Sequence, residues 1–591
     1  MILKIDYKNA FNCIRRDKFL PLVKQYMPEI YPMVWQAYSS GSHLNFDGHT
    51  LLSQEGVQQG CPLGPMLFCL GIMDVMKECQ SELSLWYLDD GTLGGDAATV
   101  RADFERLITA SRDLGLEINP GKCELFCTNP NQQTEELFRS LAPSIKKHQP
   151  SIRNEETLTL LGSPVLPASE DHILELKLAD LERMSGRLKE LHAHDALFLL
   201  KHCFSIPRLT YFLRCSPCYK NGILDRYDEL IKETLKAILN VKLEEEAWIQ
   251  STLPVASGGL GIRKAKDISP SAFLASAHEA SVGMLNLLPE RMSTEDSTYK
   301  PLEEAESFWM EMTNNALQPE NTTVQACWDA PVYEGKLKSL LDSQTIPSEK
   351  ARLRAVSSPH SSDWLNCIPM KDCGLRLDDK SLRICVALRL GSQICQPHNC
   401  TSCGELVSKN GRHGLSCSRA KGTHPRHKMG NDVVKRALDK AGYPAVLEPT
   451  NLSRTDGKRP DGLTMVPWTR GQNLLWDFTC RDTLCSSNNC KTSQKAGQAA
   501  NIAEKEKEGH YQELSRDFFF TPVASETLGS WGESSLIFLK DLGSRVAGVT
   551  GDKRETSWLF QRLSIAIQRG NAISISATIP SPKQLDLFDP V

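Results

Sequence analysis

Nowhere in the 591 residues is there an apolar run long enough to cross a bilayer. The best stretch, Met66 to Met76, is too short and follows Gly60, Pro62, Gly64 and Pro65. A signal peptide is lacking too. Met1 leads straight into Ile2-Leu3-Lys4-Ile5-Asp6, with no charged start, long apolar run or small-residue cleavage site. These absences predict an intracellular protein. Neither sign of charge dominates: 68 Lys and Arg against 72 Asp and Glu leave a net charge of −4, so any nucleic-acid binding must rest on local basic surfaces. One such surface is legible between Glu405 and Lys440, where nine Lys or Arg face three acids. There is no internal repeat. The 40% hydrophobic content excludes wholesale disorder, and the length calls for several domains.

The twenty cysteines of an intracellular chain read as thiols or metal ligands rather than disulfides. Most stand singly (Cys13, Cys69, Cys127, Cys203, Cys327), as small buried apolar residues do. The cluster Cys395 to Cys417 is the exception.

Residues 1–165 alternate strand and helix patterns: a buried strand over Leu3 to Asp6, a helix over Asn9 to Tyr26 and an apolar helix over Leu63 to Glu78. A hairpin follows over Leu85 to Leu93, turning at Asp89-Asp90-Gly91. This predicts an α+β fold. Residues 166–390 are helical, with amphipathic runs at Ile173–His192, Leu197–Cys203 and Asp225–Leu239. They are broken by Ser257-Gly258-Gly259-Leu260-Gly261, and an exposed connector is expected within Ser293 to Thr323. Residues 391–430 are Cys/His-rich and basic, 431–570 return to an α/β pattern, and 571–591 read as a poorly ordered tail.

Asp6 ends an apolar strand, and Asp89 and Asp90 lie at a hairpin tip. Converging strand-end carboxylates of this kind can clamp two hard divalent cations roughly 3.5–4 Å apart for phosphoryl transfer, Mg²⁺ or Mn²⁺ being the suited ions. An Asp-Asp-Gly tip alone is also ordinary turn chemistry. Five segments stand in order here: Ile5-Asp6-Tyr7-Lys8-Asn9-Ala10-Phe11, Gln58-Gln59-Gly60-Cys61-Pro62-Leu63-Gly64-Pro65, Trp86-Tyr87-Leu88-Asp89-Asp90, Leu114-Gly115-Leu116-Glu117-Ile118-Asn119 with Lys122, and Leu160-Leu161-Gly162. In order, spacing and residue type they resemble the palm motifs of the reverse transcriptases of non-LTR retrotransposons.

That resemblance implies Asp6, Asp89 and Asp90 as catalytic metal ligands and Phe11 as a screen against the 2′-hydroxyl of the incoming sugar. It implies Gln59 and Gly60 beside template and nucleotide, and Lys122 near the triphosphate. The helices beyond 166 would be a thumb and connector. Cys61 departs from the acidic residue many relatives carry there. A fingers segment is expected ahead of the Asp6 strand, and its absence from the chain as read implies an N-terminally truncated, impaired polymerase.

Cys400-x2-Cys403-x9-His413-x3-Cys417 offers four ligands for a structural, tetrahedral Zn²⁺, with Cys395, His398, His424 and His427 as rivals. Arg412, Arg419, Lys421, Arg426 and Lys428 around it would contact phosphates. Downstream, Pro460-Asp461 and the strand residue Asp477 can share a divalent metal that activates water against a phosphodiester, with Glu448 as a third carboxylate and Lys505 or Lys507 stabilising charge. This resembles the restriction-enzyme-like endonuclease that follows a zinc knuckle in such elements. Thr479 departs from it by standing where a lysine follows the second acid.

The reading is therefore an RNA-directed DNA polymerase of a non-LTR retroelement with a DNA-nicking endonuclease. It would use RNA template, DNA primer or target and deoxynucleoside triphosphates, and would act in the nucleus. The alternative is a catalytically inactive retroelement-derived nucleic-acid-binding protein.

Overall fold

The computed structural model describes residues 1–126, 146–148, 158–284, 300–417, 419, 423–450, 452 and 459–580. The described residues divide into a unit of residues 1–173 and a larger one from residue 174 onward.

In the first unit, strand β1 (Ile2–Ile5) sits at the centre of a five-stranded sheet. Its neighbours are the hairpin β4 (Leu83–Tyr87) and β5 (Asp90–Gly94) on one side, and β6 (Glu124–Phe126) and β7 (Lys146–His148) on the other. β1 alternates inside and outside, as a half-buried strand must. Leu3 and Ile5 are buried against helices α1 (Arg16–Tyr26), α2 (Gly64–Lys77) and α3 (Ala97–Asp113), through Phe19, Phe68 and Phe104 among others. Lys4 and Asp6 therefore share the opposite face.

The chain pairs Tyr87 with Asp90, so the hairpin turns at Leu88-Asp89 rather than at Asp89-Asp90-Gly91 as expected. Leu88 takes up the turn with φ of 59°, a left-handed conformation uncommon for a leucine. Gly91 belongs to the strand, where any Cβ would stand 2.2 Å from the Trp86 ring. The helix expected over Asn9 to Tyr26 is two pieces, Ala10–Cys13 and α1, because Ile14 leaves helical geometry with ψ of 131°. A separate hairpin, β2 (Ser42–Phe46) and β3 (His49–Ser53), is exposed along most of its length.

The second unit opens with the expected helices, among them α4 (Ile223–Leu239) and α5 (Ala265–Met284). The described part of the expected connector is helical over Lys300–Met312, anchored by buried Trp309, and irregular and largely exposed over 313–323. Cys69 and Cys203, expected inside, are exposed, and Cys127 lies outside the described residues.

The Gly-rich break is a loop held from below by Arg389 on helix α6 (Asp379–Leu390). Its buried guanidinium donates to the carbonyls of Val255, Gly259 and Val356, while Gln250 donates to Gly258. A Cβ on Gly259 would stand 2.0 Å from the Leu253 carbonyl oxygen. Gly259→Ala is expected to cost about 2–3 kcal/mol, lowering the melting temperature by about 5 °C or more in a thermal unfolding scan.

The C-terminal part builds a four-stranded sheet in the order β8 (Ala445–Leu447), β9 (Gly462–Thr469), β10 (Gln472–Arg481), β11 (Phe519–Glu526). The first three are antiparallel, while β11 runs parallel to β10 after the crossover helix α8 (Gln498–His510). Helices α7 (Thr423–Lys440), α9 (Glu533–Thr550) and α10 (Glu555–Ser576) cover the sheet through a core of Val434, Trp476, Phe478, Leu539 and Phe560. The tail expected to be loose from residue 571 is ordered further than that: Asn571, Ser574 and Ile575 are buried on α10. Residues 581–591 lie outside the described residues.

Candidate active sites and metal centre

Pairing of Ile5 with Gly91 fixes the first site. One step further along the same register, Asp6 stands opposite Asp90, and directly opposed residues of an antiparallel pair share a face with Cβ atoms about 4.5–5.5 Å apart. Asp89, in the turn, completes a group of three carboxylates at one edge of the sheet.

The electrostatics are those of crowded anions. Asp90 is pushed up from the ordinary carboxylate range by partial desolvation, then by the charges of Asp89 and Asp6, with Lys4 opposing. One carboxylate oxygen of Asp6, Oδ1, is buried and has no hydrogen-bond partner. Lys122 Nζ lies 3.9 Å from it, on a side chain that is 70% exposed.

Phe11 packs face to face on Phe68 of α2, with ring centroids 4.7 Å apart, so one side of its ring is already covered. Gln59 and Gly60 are exposed, and the neighbouring Gln58 is tied to Ser42. Cys61 is partly buried against the core.

The second site lies on the C-terminal sheet. Gly462 pairs with Trp476, so the register sets Asp461 opposite Asp477. The Asp461 amide donates to the Trp476 carbonyl, and its Oδ2 accepts from the Phe478 amide at 2.7 Å. His427 on α7 brings Nε2 to 2.9 Å from the same oxygen. Asn431, one turn further on, lies 3.4 Å from His427 Nδ1 and accepts a hydrogen bond from the Trp476 indole at 2.9 Å. An indole N–H only donates, so it fixes the amide of Asn431 with its NH₂ toward His427. In neutral His427 the Nδ1 is then the acceptor and Nε2–H points at Asp461. Burial would push Asp461 up, but His427, Asn431 and the Phe478 amide hold it below the usual carboxylate range.

Asp477 is buried and raised by burial and by the charge of Asp461. Lys507 Nζ lies 2.7 Å from its Oδ1, and the Tyr511 hydroxyl 2.8 Å from its Oδ2. Lys507 and Tyr511 are one helical turn apart at the end of α8. Lys505 is exposed on another face of the helix, and Glu448 is 70% exposed and paired with Arg459. A cleft of about 540 Å³, lined by His424, His427, Thr479, Asp482 and Asn488, opens beside the pair.

The third constellation is the tightest. Among the described residues, Cys400, Cys403, His413 and Cys417 are the only group of three or more His, Cys, Asp or Glu whose ligand atoms all lie within 4.8 Å of one another. Neither carboxylate group meets that distance. Cys403 Sγ and His413 Nε2 are 3.1 Å apart, and the sulfurs of Cys400 and Cys417 are 4.0 Å apart. Burial opposes ionisation of Cys400, but the backbone N–H groups of Cys403 and Ser402 bring its thiol down to about 6. Glu405 stands 3.5 Å from the far nitrogen of His413, where it can orient the ring.

The rival ligands are used elsewhere. Cys395 turns to the Ser408 carbonyl, His398 to those of Gln396 and Thr578, and His427 to Asp461, while His424 lines the cleft. Two of the expected phosphate-contacting residues are also engaged: Arg412 pairs with Glu349, and buried Arg426 donates to Asn571. Arg419 and Lys428 are exposed, whereas Lys421 lies outside the described residues.

Sequence reading missed His427 as a partner of Asp461, and missed Asn431, Tyr511 and Glu405 altogether. Only helical spacing, His427 to Asn431 and Lys507 to Tyr511, hinted at two of these pairings.

No helix among the described residues is long and apolar enough to cross a membrane. Residues 1–165 match the family described as reverse transcriptase (RNA-dependent DNA polymerase), which implies a palm-type polymerase fold. Over 550 residues, 89% of its length, the chain is 22% identical to the retrotransposable element SLACS 132 kDa protein of Trypanosoma brucei gambiense. It spans about two fifths of that relative, 41% of its length. Over residues 1–165 the chain is therefore similar to reverse transcriptase domains, and through most of its length it is similar to a protein of a retrotransposable element.

Proposed function

We propose that the protein is an RNA-directed DNA polymerase of a non-LTR retroelement, with Asp6, Asp89 and Asp90 as its catalytic carboxylates. The observation that carries this reading is the buried oxygen of Asp6, which no hydrogen bond satisfies and only the exposed Lys122 approaches, facing two further carboxylates within the matched domain. Such an oxygen is costly to bury unless a cation joins it, so the donor set fits a hard divalent ion, Mg²⁺ or Mn²⁺. When bound, that metal neutralises the triphosphate and favours ionisation of the primer 3′-hydroxyl. The 3′-oxygen attacks the α-phosphorus, forming the new P–O bond as pyrophosphate leaves. Exposed Gln59 and Gly60 flank template and nucleotide, Phe11 screens the sugar, and Lys122 meets the phosphates. The test is incorporation of deoxynucleotides by the full chain on a DNA primer annealed to RNA. Metal-dependent, RNA-templated extension is expected, and none at any divalent metal overturns the reading.

A second activity rests on buried Asp477 and its ion pair with half-buried Lys507. Asp461 and Asp477 would hold a divalent cation, and Lys507, arriving from α8, would take the place of the lysine that Thr479 displaces. Together they support hydrolytic nicking of DNA, in which water attacks the phosphorus and the 3′-oxygen departs. Within this site His427 is a positioning residue. His427→Phe is expected to lower Mg²⁺-dependent nicking of supercoiled plasmid about 10- to 50-fold and to raise the metal concentration for half-maximal rate. His427→Gln, which keeps an N–H, should recover most of both. Equal rates in Phe and Gln variants would remove this role.

The Cys400, Cys403, His413 and Cys417 set fits a structural Zn²⁺, closed by four protein ligands. Nucleic-acid binding without either turnover would favour the non-catalytic reading instead. Action in the nucleus follows only from the proposed DNA substrate.

A further inference from the structure

Helix α7 carries two parallel stripes at four-residue spacing. Met429, Val433 and Ala437 form one, and Asp432, Arg436 and Lys440 the other. Helix α10 sets Glu555, Arg562 and Arg569 in one row at seven-residue spacing, two turns apart. The two rows face each other across a cavity of about 490 Å³ with an apolar floor, closed at one end by the loop Cys373 to Leu375. Arg569 holds that loop by donating to the carbonyls of Gly374 and Arg376.

Four basic side chains line this groove against two acidic ones, and one of the acids, Glu555, is taken up by Lys440. Arg436 and Arg562 are exposed, and among the described residues neither is paired with a carboxylate. In a chain of net charge −4 this is a concentration of cations, and it lies on the face of α7 opposite His427.

We propose that the groove between α7 and α10 binds the phosphodiester backbone of one nucleic-acid strand. Arg562 and Arg569 are about 10.5 Å apart along their helix, and Arg436 and Lys440 about 6 Å apart on the other wall. A compact anion cannot satisfy both ends of such a row. Contacts of this kind position a strand without reading its sequence. The proposal takes from the proposed function only that nucleic acid is the ligand.

Cys373, exposed at the mouth of the groove, supplies the readout. Its alkylation by iodoacetamide in the full chain, followed by mass spectrometry, should slow at least fivefold with a saturating 30-nucleotide DNA strand. Exposed Cys203 and Cys490 serve as internal references. The double variant Arg436→Gln/Arg562→Gln should lose this protection, and the slope of log affinity against log salt should fall by about 1.4, two contacts at about 0.7 each for single strands. Both changes are on exposed side chains, and unchanged circular dichroism establishes that the variant is folded. No protection of Cys373 at saturating DNA, protection untouched by the double variant, or equal protection by inorganic triphosphate each overturns the proposal. Absence of nicking with Cys373 still protected counts against the nuclease reading alone.

Discussion

Asp6→Asn and Asp89→Asn, each in the full chain, are expected to lower RNA-templated primer extension by about 10³-fold or more, while Asp90→Asn lowers it less. The ranking follows from where each carboxylate sits. Asp6 has a buried oxygen that no hydrogen bond satisfies and that Lys122 reaches only at 3.9 Å, which leaves it open to a bound cation. An amide there keeps the volume and loses the charge. Phosphoryl transfer depends almost entirely on positioning and charge neutralisation, so removing one metal-holding charge removes most of the catalysis. Asp90 is exposed, and no oxygen of it is among the buried atoms that lack a hydrogen bond, so water can take over part of its role when the charge is removed. The measurement is single-turnover extension at saturating primer-template, with binding followed by fluorescence anisotropy. Extension by Asp6→Asn within tenfold of the unsubstituted chain would defeat the assignment. Loss of binding in step with extension would make Asp6 a structural residue.

The order of segments made this first site readable. Leu3 and Ile5 alternate with Lys4 and Asp6, which is enough to put Asp6 on the face away from the core, and the hairpin was evident from its flanking apolar residues. Its turn was misplaced by one residue because Asp-Asp-Gly has better turn propensity than Leu88-Asp89. The strand pairing of Asp90 and Gly91, with Trp86 lying over Gly91, overrides that local preference. The stacking of Phe11 on Phe68 is a long-range contact between two motifs, invisible to either alone.

Farther along, legibility follows the same divide. The pair Asp461 and Asp477 was accessible because both lie on one predicted hairpin. Lys507 arrives across a parallel crossover and was one of two candidates on its helix; the winding of α8 separates them, aiming Lys507 at Asp477 and Lys505 at solvent. His427 was misjudged because histidine beside cysteines reads as a metal ligand, whereas α7 carries it away from the cluster to Asp461. Glu448 is turned aside by its backbone: it adopts a left-handed conformation after β8, with φ of 51°, and its carboxylate meets Arg459 while its amide donates to the Asp461 carbonyl.

Removal of the cation proposed for the Cys/His cluster should have its largest effect at a distance along the chain, on the end of α10. The cluster leans on that end. Thr401 bonds the carbonyls of Ala577 and Thr578, and His398 lies against Thr578. Gly414 lies so close to Ile575 that a Cβ there would be 2.7 Å from its Cα. Asn571, on the same stretch, accepts from Arg426 and donates to the Thr527 carbonyl beside the end of β11. Without metal, three thiols and an imidazole packed within 4.8 Å of one another keep only the weak contacts of Cys403 with His413 and of Cys400 with Cys417, and the loops that carry them include little regular structure. Structural Zn²⁺ in small modules contributes about 10–16 kcal/mol of apparent binding energy at neutral pH, so its loss is expected to unfold residues 395–417 and free the last turns of α10. The full chain should contain one equivalent of zinc by elemental analysis. Cys403→Ser and Cys417→Ser should lose it, together with hydrogen-exchange protection over residues 395–417 and 571–580 and about 10 °C of melting temperature. Cys395→Ser, whose sulfur faces a carbonyl outside the cluster, should retain both the metal and the protection. Zinc content unchanged in Cys403→Ser, or lost equally in Cys395→Ser, would show that these four side chains are not the ligand set.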